Sequence, residues 1–500
     1  MDSLTQETQQ ASTVPTSTKS GQVRSEFVVD SDERRVFGFE PQLVLRILKL
    51  SVPVIIGMLT QTAINMIDSA MVGRLREEMA VAGTAALGPS LVLLWAFGGF
   101  LSAISVGTQA LTARRFGEGS ARGAGRVLTN SAILALSSSL VVTVIAWFLA
   151  QPIFSAISHD PLIREVGTSY SRIRFLGLFS MVLMMSYKSF YDGVGRVRIH
   201  MSIAIIMNLS NAFLNYLLIF GNWGFPALEV DGAAWASVIS SSGGLFIMIA
   251  WSMRRSDWRT FRVYQLRNIN FKVMGRVAYL SIWSGLATLF VMTGFGFFYW
   301  IVGQVDEREG LAGINTAATS AVINISMLCF MTCIAYGTAT ATLVSQSMGA
   351  KKSDLAERYG WQSIKIIVLL MSALGAIAVF FPTELVRLFL PETEQFAETL
   401  KDQVVVTASN SLALCGFGAP IAAAALVFTQ ALYGAGESRY VMLVEMVLHF
   451  SCLVPLAYGL AIPFGFGLYG CWYAAGIYGV ALMSAMGIKF YLGSWKNTEI

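Results

Sequence analysis

From about residue 43 onward the chain is a series of long apolar stretches separated by short polar ones. Twelve of them reach the roughly 20 residues that a helix needs to cross a bilayer. They lie near 43–72, 82–112, 127–150, 166–190, 199–221, 232–253, 277–303, 312–346, 360–381, 403–433, 440–462 and 467–490. Each is too long for a strand of a membrane barrel, which carries about ten alternating residues. Backbone polar groups in hydrocarbon need internal partners, so the stretches predict helices. The expected fold class is an all-α integral membrane protein with twelve transmembrane helices.

Residues 1–40 break the pattern. They are rich in Ser, Thr, Gln and charge, and read as a flexible cytoplasmic tail with no signal peptide. Twelve spans with the amino terminus inside put 27 of the 35 Lys and Arg on the cytoplasmic side and 8 outside. That asymmetry obeys the positive-inside rule. It predicts a multi-pass protein of the cell inner (plasma) membrane with both termini cytoplasmic.

The pattern also repeats. The polar segment 253–276 divides the spans six and six. Val72-Gly73 and Ala82-Gly83 match Val302-Gly303 and Ala312-Gly313 at an offset of 230. Thr108, Leu111 and Gly117 match Thr340, Leu343 and Gly349 at 232. Gly193, Gly195 and Arg198 match Gly434, Gly436 and Arg439 at 241, and Gly232 and Ala236 match Gly470 and Ala474 at 238. Six spans per half make the repeat parallel, with a pseudo-twofold axis along the membrane normal and a cavity between two bundles. The expected organisation is a tail (1–40), an amino-terminal six-helix lobe (41–252), a basic cytoplasmic linker (253–276), a second six-helix lobe (277–492) and a cytoplasmic carboxyl-terminal tail (493–500).

Composition narrows the function. Hydrophobic residues are 55% and charged residues 13% of the 500, which excludes a soluble enzyme, a disordered chain and a nucleic-acid partner. The five cysteines lie in apolar runs and read as packing residues. The three histidines are scattered, so no metal site is expected. There is no Walker A, HExxH or nucleophile-elbow motif, and no catalytic constellation. No cofactor is expected beyond a coupling ion.

A charge at mid-membrane costs about 2.5–3.5 kcal/mol, so the few present are candidates for function. Asp68 is the clearest, in the outer half of the first helix, with Gln61 and Asn65 on the same face. A carboxyl among amides in a poorly hydrated cavity can load and release H⁺ near neutral pH, or ligate Na⁺ when ionised. The plainer alternative is an aspartate among headgroups. Asn208, Asn211 and Asn215 form a polar stripe on the fifth helix. They suit a cavity wall or coupling site, or equally helix–helix hydrogen bonds worth about 0.6 kcal/mol each. Ser237 on the sixth helix is a weaker addition. Pro53 removes a backbone hydrogen bond and is a candidate hinge. Glu445 and His449, i and i+4 on the eleventh helix, suit a proton relay, although a local stabilising pair is preferred. Asp192 and Glu437 flank Gly-rich turns and predict salt bridges to nearby Arg. Asp68 falls on Phe298 at the 230 offset, so coupling chemistry is expected in the first lobe.

Pro53 through Gly73, with Ile67-Asp68-Ser69-Ala70-Met71-Val72-Gly73, resembles the first helix of the multidrug and toxic compound extrusion (MATE) family. Gly107-Thr108 to Gly117, Asp192-Gly193-Val194-Gly195-Arg196, Thr340 to Gly349 and Gly434 to Arg439 are similar to its signatures. The resemblance covers about 43–490. It implies a two-lobe transporter that exports drugs or other organic compounds in exchange for H⁺ or Na⁺. The family's first-helix acid falls on Asp68, its glutamine on Gln61, its fifth-helix pair on Asn211 and Asn215, and its sixth-helix hydroxyl on Ser237. Acids that some branches carry in the seventh and tenth helices are replaced here by Val291–Met292 and Ala422. That favours a first-lobe mechanism, with H⁺ preferred.

The expectation is an antiporter, acting as a monomer in membrane lipid on a small organic substrate, by alternating access. One rival is a flippase for lipid-linked saccharides, which would need a strongly cationic cavity, whereas the spans hold almost no Lys or Arg at mid-membrane. The other is a non-transporting membrane protein or channel.

Overall fold

The computed structural model describes residues 38–498 apart from 73, 76, 158–159, 312 and 390–397. Among them eleven helices are long and apolar enough to cross a membrane, and one bent pair makes a twelfth. The first is Pro41–Val72, continuous through Pro53. The second starts as Glu77–Leu94, passes a π-turn at Trp95–Gly99 and ends as Ile104–Gly117. The third is Ala121–Ile157, the fifth Val197–Phe220 and the sixth Glu229–Ser252. The seventh to tenth are Phe271–Glu309, Ile314–Gly349, Ser353–Phe380 and Glu398–Ala435. The eleventh runs Ser438–Leu448, a π-turn at His449–Leu453 and Val454–Ala461, and the twelfth is Gly467–Tyr491.

The fourth span differs from expectation. It consists of Pro161–Leu176 and Leu178–Gly193, bent by 41° at Gly177. It also begins earlier than its apolar run. Pro161 takes the first helical position, and the Asp160 carboxylate accepts from the Leu162 and Ile163 N–H groups at 2.8 and 3.3 Å. The linker is ordered as well. It forms a short helix, Arg255–Phe261, and is fastened to the first lobe. Asn130 of the third helix donates to the Asn268 carbonyl and accepts from the Asn270 N–H, both at 2.8 Å. Arg196 pairs with the buried Asp257 at 2.5 Å. Tail residues up to 37 lie outside the described residues. Beyond the twelfth helix the chain forms a 3₁₀ turn at Ser494–Asn497, with Trp495 buried and stacked on Phe490. Lys496 lies between Asp354 and Glu357 at 3.1 and 2.7 Å. The Glu357 hydrogen bond, more than burial opposes it, holds the Lys496 ammonium above the usual lysine range.

The helices form two lobes of like architecture. The fifth packs on the first and sixth, and the fourth on the second, third and sixth. In the second lobe the eleventh packs on the seventh and twelfth, and the tenth on the eighth, ninth and twelfth. Between lobes, the first meets the eighth and the second meets both seventh and eighth. The turns repeat too: Gly195 and Gly436 occupy the same place after the fourth and tenth helices, with φ of +79° and +96°, a conformation that glycine adopts freely.

The lobes are locked at the end where the first helix begins, called here the basic end. A Cβ on Gly117 would overlap the Gln346 carbonyl, and one on Gly349 would overlap the Arg114 carbonyl. Since 114 and 117 correspond to 346 and 349 in the repeat, this is a reciprocal crossing of the second and eighth helices, backbone against backbone. Gln109 donates to the Thr338 carbonyl and Thr342 Oγ1 at 2.8 Å each. Ser345 donates to the Ala110 carbonyl at 2.7 Å. Gln346 donates to the Gly193 carbonyl at 2.7 Å, and its counterpart Arg114 to the Ala435 carbonyl at 3.3 Å. Each side chain thereby caps the end of a helix in the opposite lobe, where carbonyls lack intrahelical partners. Residues flanking the two lobes reinforce the closure: Glu40 pairs with Arg358 of the ninth helix, and the Thr498 carbonyl accepts from Arg114 at 3.0 Å.

Gly117→Val and Gly349→Val force this crossing apart. Each is expected to cost about 1–3 kcal/mol, read as a lower thermal unfolding midpoint in detergent. A variant as stable as the parent would contradict the crossing.

Candidate functional site

The polar stripe of the fifth helix lies inside the first lobe. Asn208, Asn211 and Asn215 are all buried. The spacing i, i+3, i+7 keeps them on one face. Asn211 Nδ2 donates to Ser237 Oγ of the sixth helix at 3.3 Å, and Asn215 Nδ2 to Asn211 Oδ1 at 3.4 Å. Asn208 Nδ2 is buried with no hydrogen-bond partner among the described residues. The first helix packs on this fifth helix. The side chains of Asp68 and Asn65 lie outside the described residues. Gln61 is exposed. The expected Asn211, Asn215 and Ser237 are brought together.

The expectation of arginine partners needs correction. The cation beside Asp192 is Lys188, one turn earlier, at 2.8 Å, and not an arginine. Glu437 likewise pairs with Lys489 at 3.3 Å and accepts from Thr498 Oγ1 at 2.6 Å. Asp192 and Lys188 are both buried, so this is an internal ion pair at the basic end. Glu445 and His449 are hydrogen-bonded to each other. His449 Nδ1 bonds the backbone carbonyl of Glu445 at 2.8 Å, a carbonyl that also accepts from the His449 N–H. The local pair is made through the backbone and not through the carboxylate.

Sequence reasoning passed over Gln109, Arg114 and Gln346, the residues that hold the closed end. A signal was present: Arg114 and Gln346 each precede a matched glycine by three residues, at the same 232 offset.

A MatE family model matches residues 53–217 and 284–458. The chain belongs to the MatE family. The two matched blocks fall in the two lobes, as a family built on a repeat requires. Among curated relatives, a probable multidrug resistance protein NorM of Bacillus cereus is 24% identical over 444 residues, covering 88% of this chain and 92% of the relative. A protein of the same name from Burkholderia pseudomallei is 26% identical over 449 residues, covering 87% and 90%. Among solved structures, a MOP superfamily transporter from Pyrococcus furiosus superposes with a TM-score of 0.80 at 21% identity, covering 91% of this chain and 96% of that one. The Vibrio cholerae MATE transporter VcmN superposes at 0.80 with 15% identity, covering 90% and 97%. These neighbours share the two-lobe fold found here.

The internal pair makes a prediction. Lys188→Met leaves Asp192 buried without its cation and is expected to cost about 3–5 kcal/mol, while adding Asp192→Leu recovers most of it. Unfolding in detergent, compared across the two single variants and the double, measures the coupling.

Proposed function

We propose that this protein is a secondary active exporter that moves small organic compounds out of the cell in exchange for H⁺, by alternating access. The observation that carries the reading is the reciprocal lock between the second and eighth helices in a two-lobe MatE chain. A lock confined to one end, built from helix termini and side-chain caps, can be released without unfolding either lobe. The Lys and Arg distribution assigns that end to the cytoplasm. On this assignment the conformation is closed inward, with both termini cytoplasmic, and the protein resides in the inner (plasma) membrane as a monomer. The moving bodies are the lobes 41–252 and 277–492. The relatives named multidrug resistance protein support drugs and other organic toxicants as the substrate class.

Asp68 is the coupling group in this reading. Gln61, Asn211, Asn215 and Ser237 supply the hydrogen-bonding surroundings, and Asn65 and Asn208 face the substrate path. Loading Asp68 from outside removes a charge from an amide-rich site. The amides then lose an ionic acceptor, the first helix shifts against the fifth near Pro53, and the outward cavity collapses and expels its cargo. Releasing the proton inward restores the charge and the starting arrangement.

Ethidium accumulation in everted membrane vesicles energised by a proton gradient tests this. The parent chain is expected to accumulate the dye, and Asp68→Asn to fall to the level of vesicles lacking the protein. Undiminished accumulation by Asp68→Asn would refute the coupling role. Accumulation that follows an imposed Na⁺ gradient and ignores the proton gradient would replace H⁺ with Na⁺.

A further inference from the structure

Among the described residues the buried acids are accounted for, with one exception. Asp192 has Lys188, Asp257 has Arg196, and Glu40 has Arg358. Asp306 accepts from the Asn315 and Thr316 N–H groups at 2.8 and 2.9 Å. Glu445 is only 9% exposed, yet among the described residues its carboxylate has no hydrogen-bond or ion-pair partner. It stands on the eleventh helix, about 10 Å along the axis from the basic end at 1.5 Å per residue. The nearest basic residue on the same helix, Arg439, is turned onto the Trp283 ring at 5.7 Å.

The groups around it are polar and neutral. Tyr433 of the tenth helix and Tyr478 of the twelfth both lie within electrostatic reach of the carboxylate. Ser284 of the seventh helix meets the Tyr433 hydroxyl. His449, one turn on, is itself buried, with its Nδ1 committed to the Glu445 carbonyl and 3.3 Å from the Tyr478 hydroxyl. Since a carbonyl only accepts, Nδ1 carries the hydrogen in this contact. Space for the ring is made deliberately: a Cβ at Gly294 would overlap His449. Cys452, the remaining titratable side chain of this helix nearby, adds no cation. The pocket thus surrounds one acid with hydroxyls and an imidazole from four helices, with no lysine or arginine among them.

An ionised carboxylate so placed bears a desolvation cost that no lysine or arginine offsets. The neutral acid bears far less. A sodium ion would want more oxygen ligands than two phenols and a serine provide. We infer that Glu445 is a second proton-loading site, set in the carboxyl-terminal lobe and nearer the cytoplasmic end than Asp68. The carboxylate takes one proton from water and returns it, with no other bond changed. This deepens the proton-exchange reading above and rests on it for its role in transport, but the site itself can be tested without transport.

The test is the pH-difference infrared spectrum of the purified full-length protein, which reports the C=O stretch of protonated carboxyl groups. The parent is expected to show a component that disappears on going from mildly acidic to alkaline pH. Glu445→Gln is expected to lose that component, Glu445→Asp to retain a carboxyl component, and Asp68→Asn to keep the parent one. A Glu445→Gln spectrum superimposable on the parent would overturn the assignment. So would a component that vanishes only with Asp68→Asn. Because the readout needs no cargo, a chain that fails to export ethidium still decides it.

Discussion

The structure depends on how closely two helix backbones can approach. At the basic end the second and eighth helices cross with glycine against carbonyl in both directions. Without side chains at 117 and 349 the helices come near enough for Gln346 and Arg114 to reach across and cap helix ends in the opposite lobe. In lipid there is no hydrophobic drive to hold helices together, so close packing and side-chain hydrogen bonds across the crossing must do it. The lobes meet through small residues and amides for that reason, and their large apolar side chains serve other surfaces. The third helix shows the contrast, with Leu140, Val144 and Phe148 exposed along its outer face.

Much of this was legible in the chain. Helices that cross a membrane are announced by length and apolarity alone, and the twelve predicted spans correspond to the helices found. The glycine pairs at 117/349 and 195/436 were visible as a repeat, and the structure gives each a job: close approach for the first, a left-handed turn for the second. The break at Gly177 was not visible, because an apolar run does not reveal where its hydrogen-bond ladder is interrupted. The partner of Asp192 was misassigned because Arg196 is also four residues away, on the other side of the turn. Arg196 instead spends its charge on Asp257 of the linker, a residue distant in sequence.

The candidate site was read less completely. Spacing put three asparagines of the fifth helix on one face, and burial of that face followed. Spacing does not say what an i+4 histidine will bond. The carboxylate and the carbonyl of Glu445 belong to the same residue, and it is the carbonyl that His449 bonds. The isolation of Glu445 could not be seen either, since it is defined by what the seventh, tenth and twelfth helices fail to offer. A single chain shows which groups are present, and only packing shows which are left without a partner.

The fastened linker has a mechanical meaning. Asn130 grips the backbone at 268 and 270, and Arg196 anchors Asp257, so the connection between lobes belongs to the first of them up to the residue before the seventh helix. The connection holds no slack ahead of Phe271, and the joint between the two halves is a short pin, not a tether.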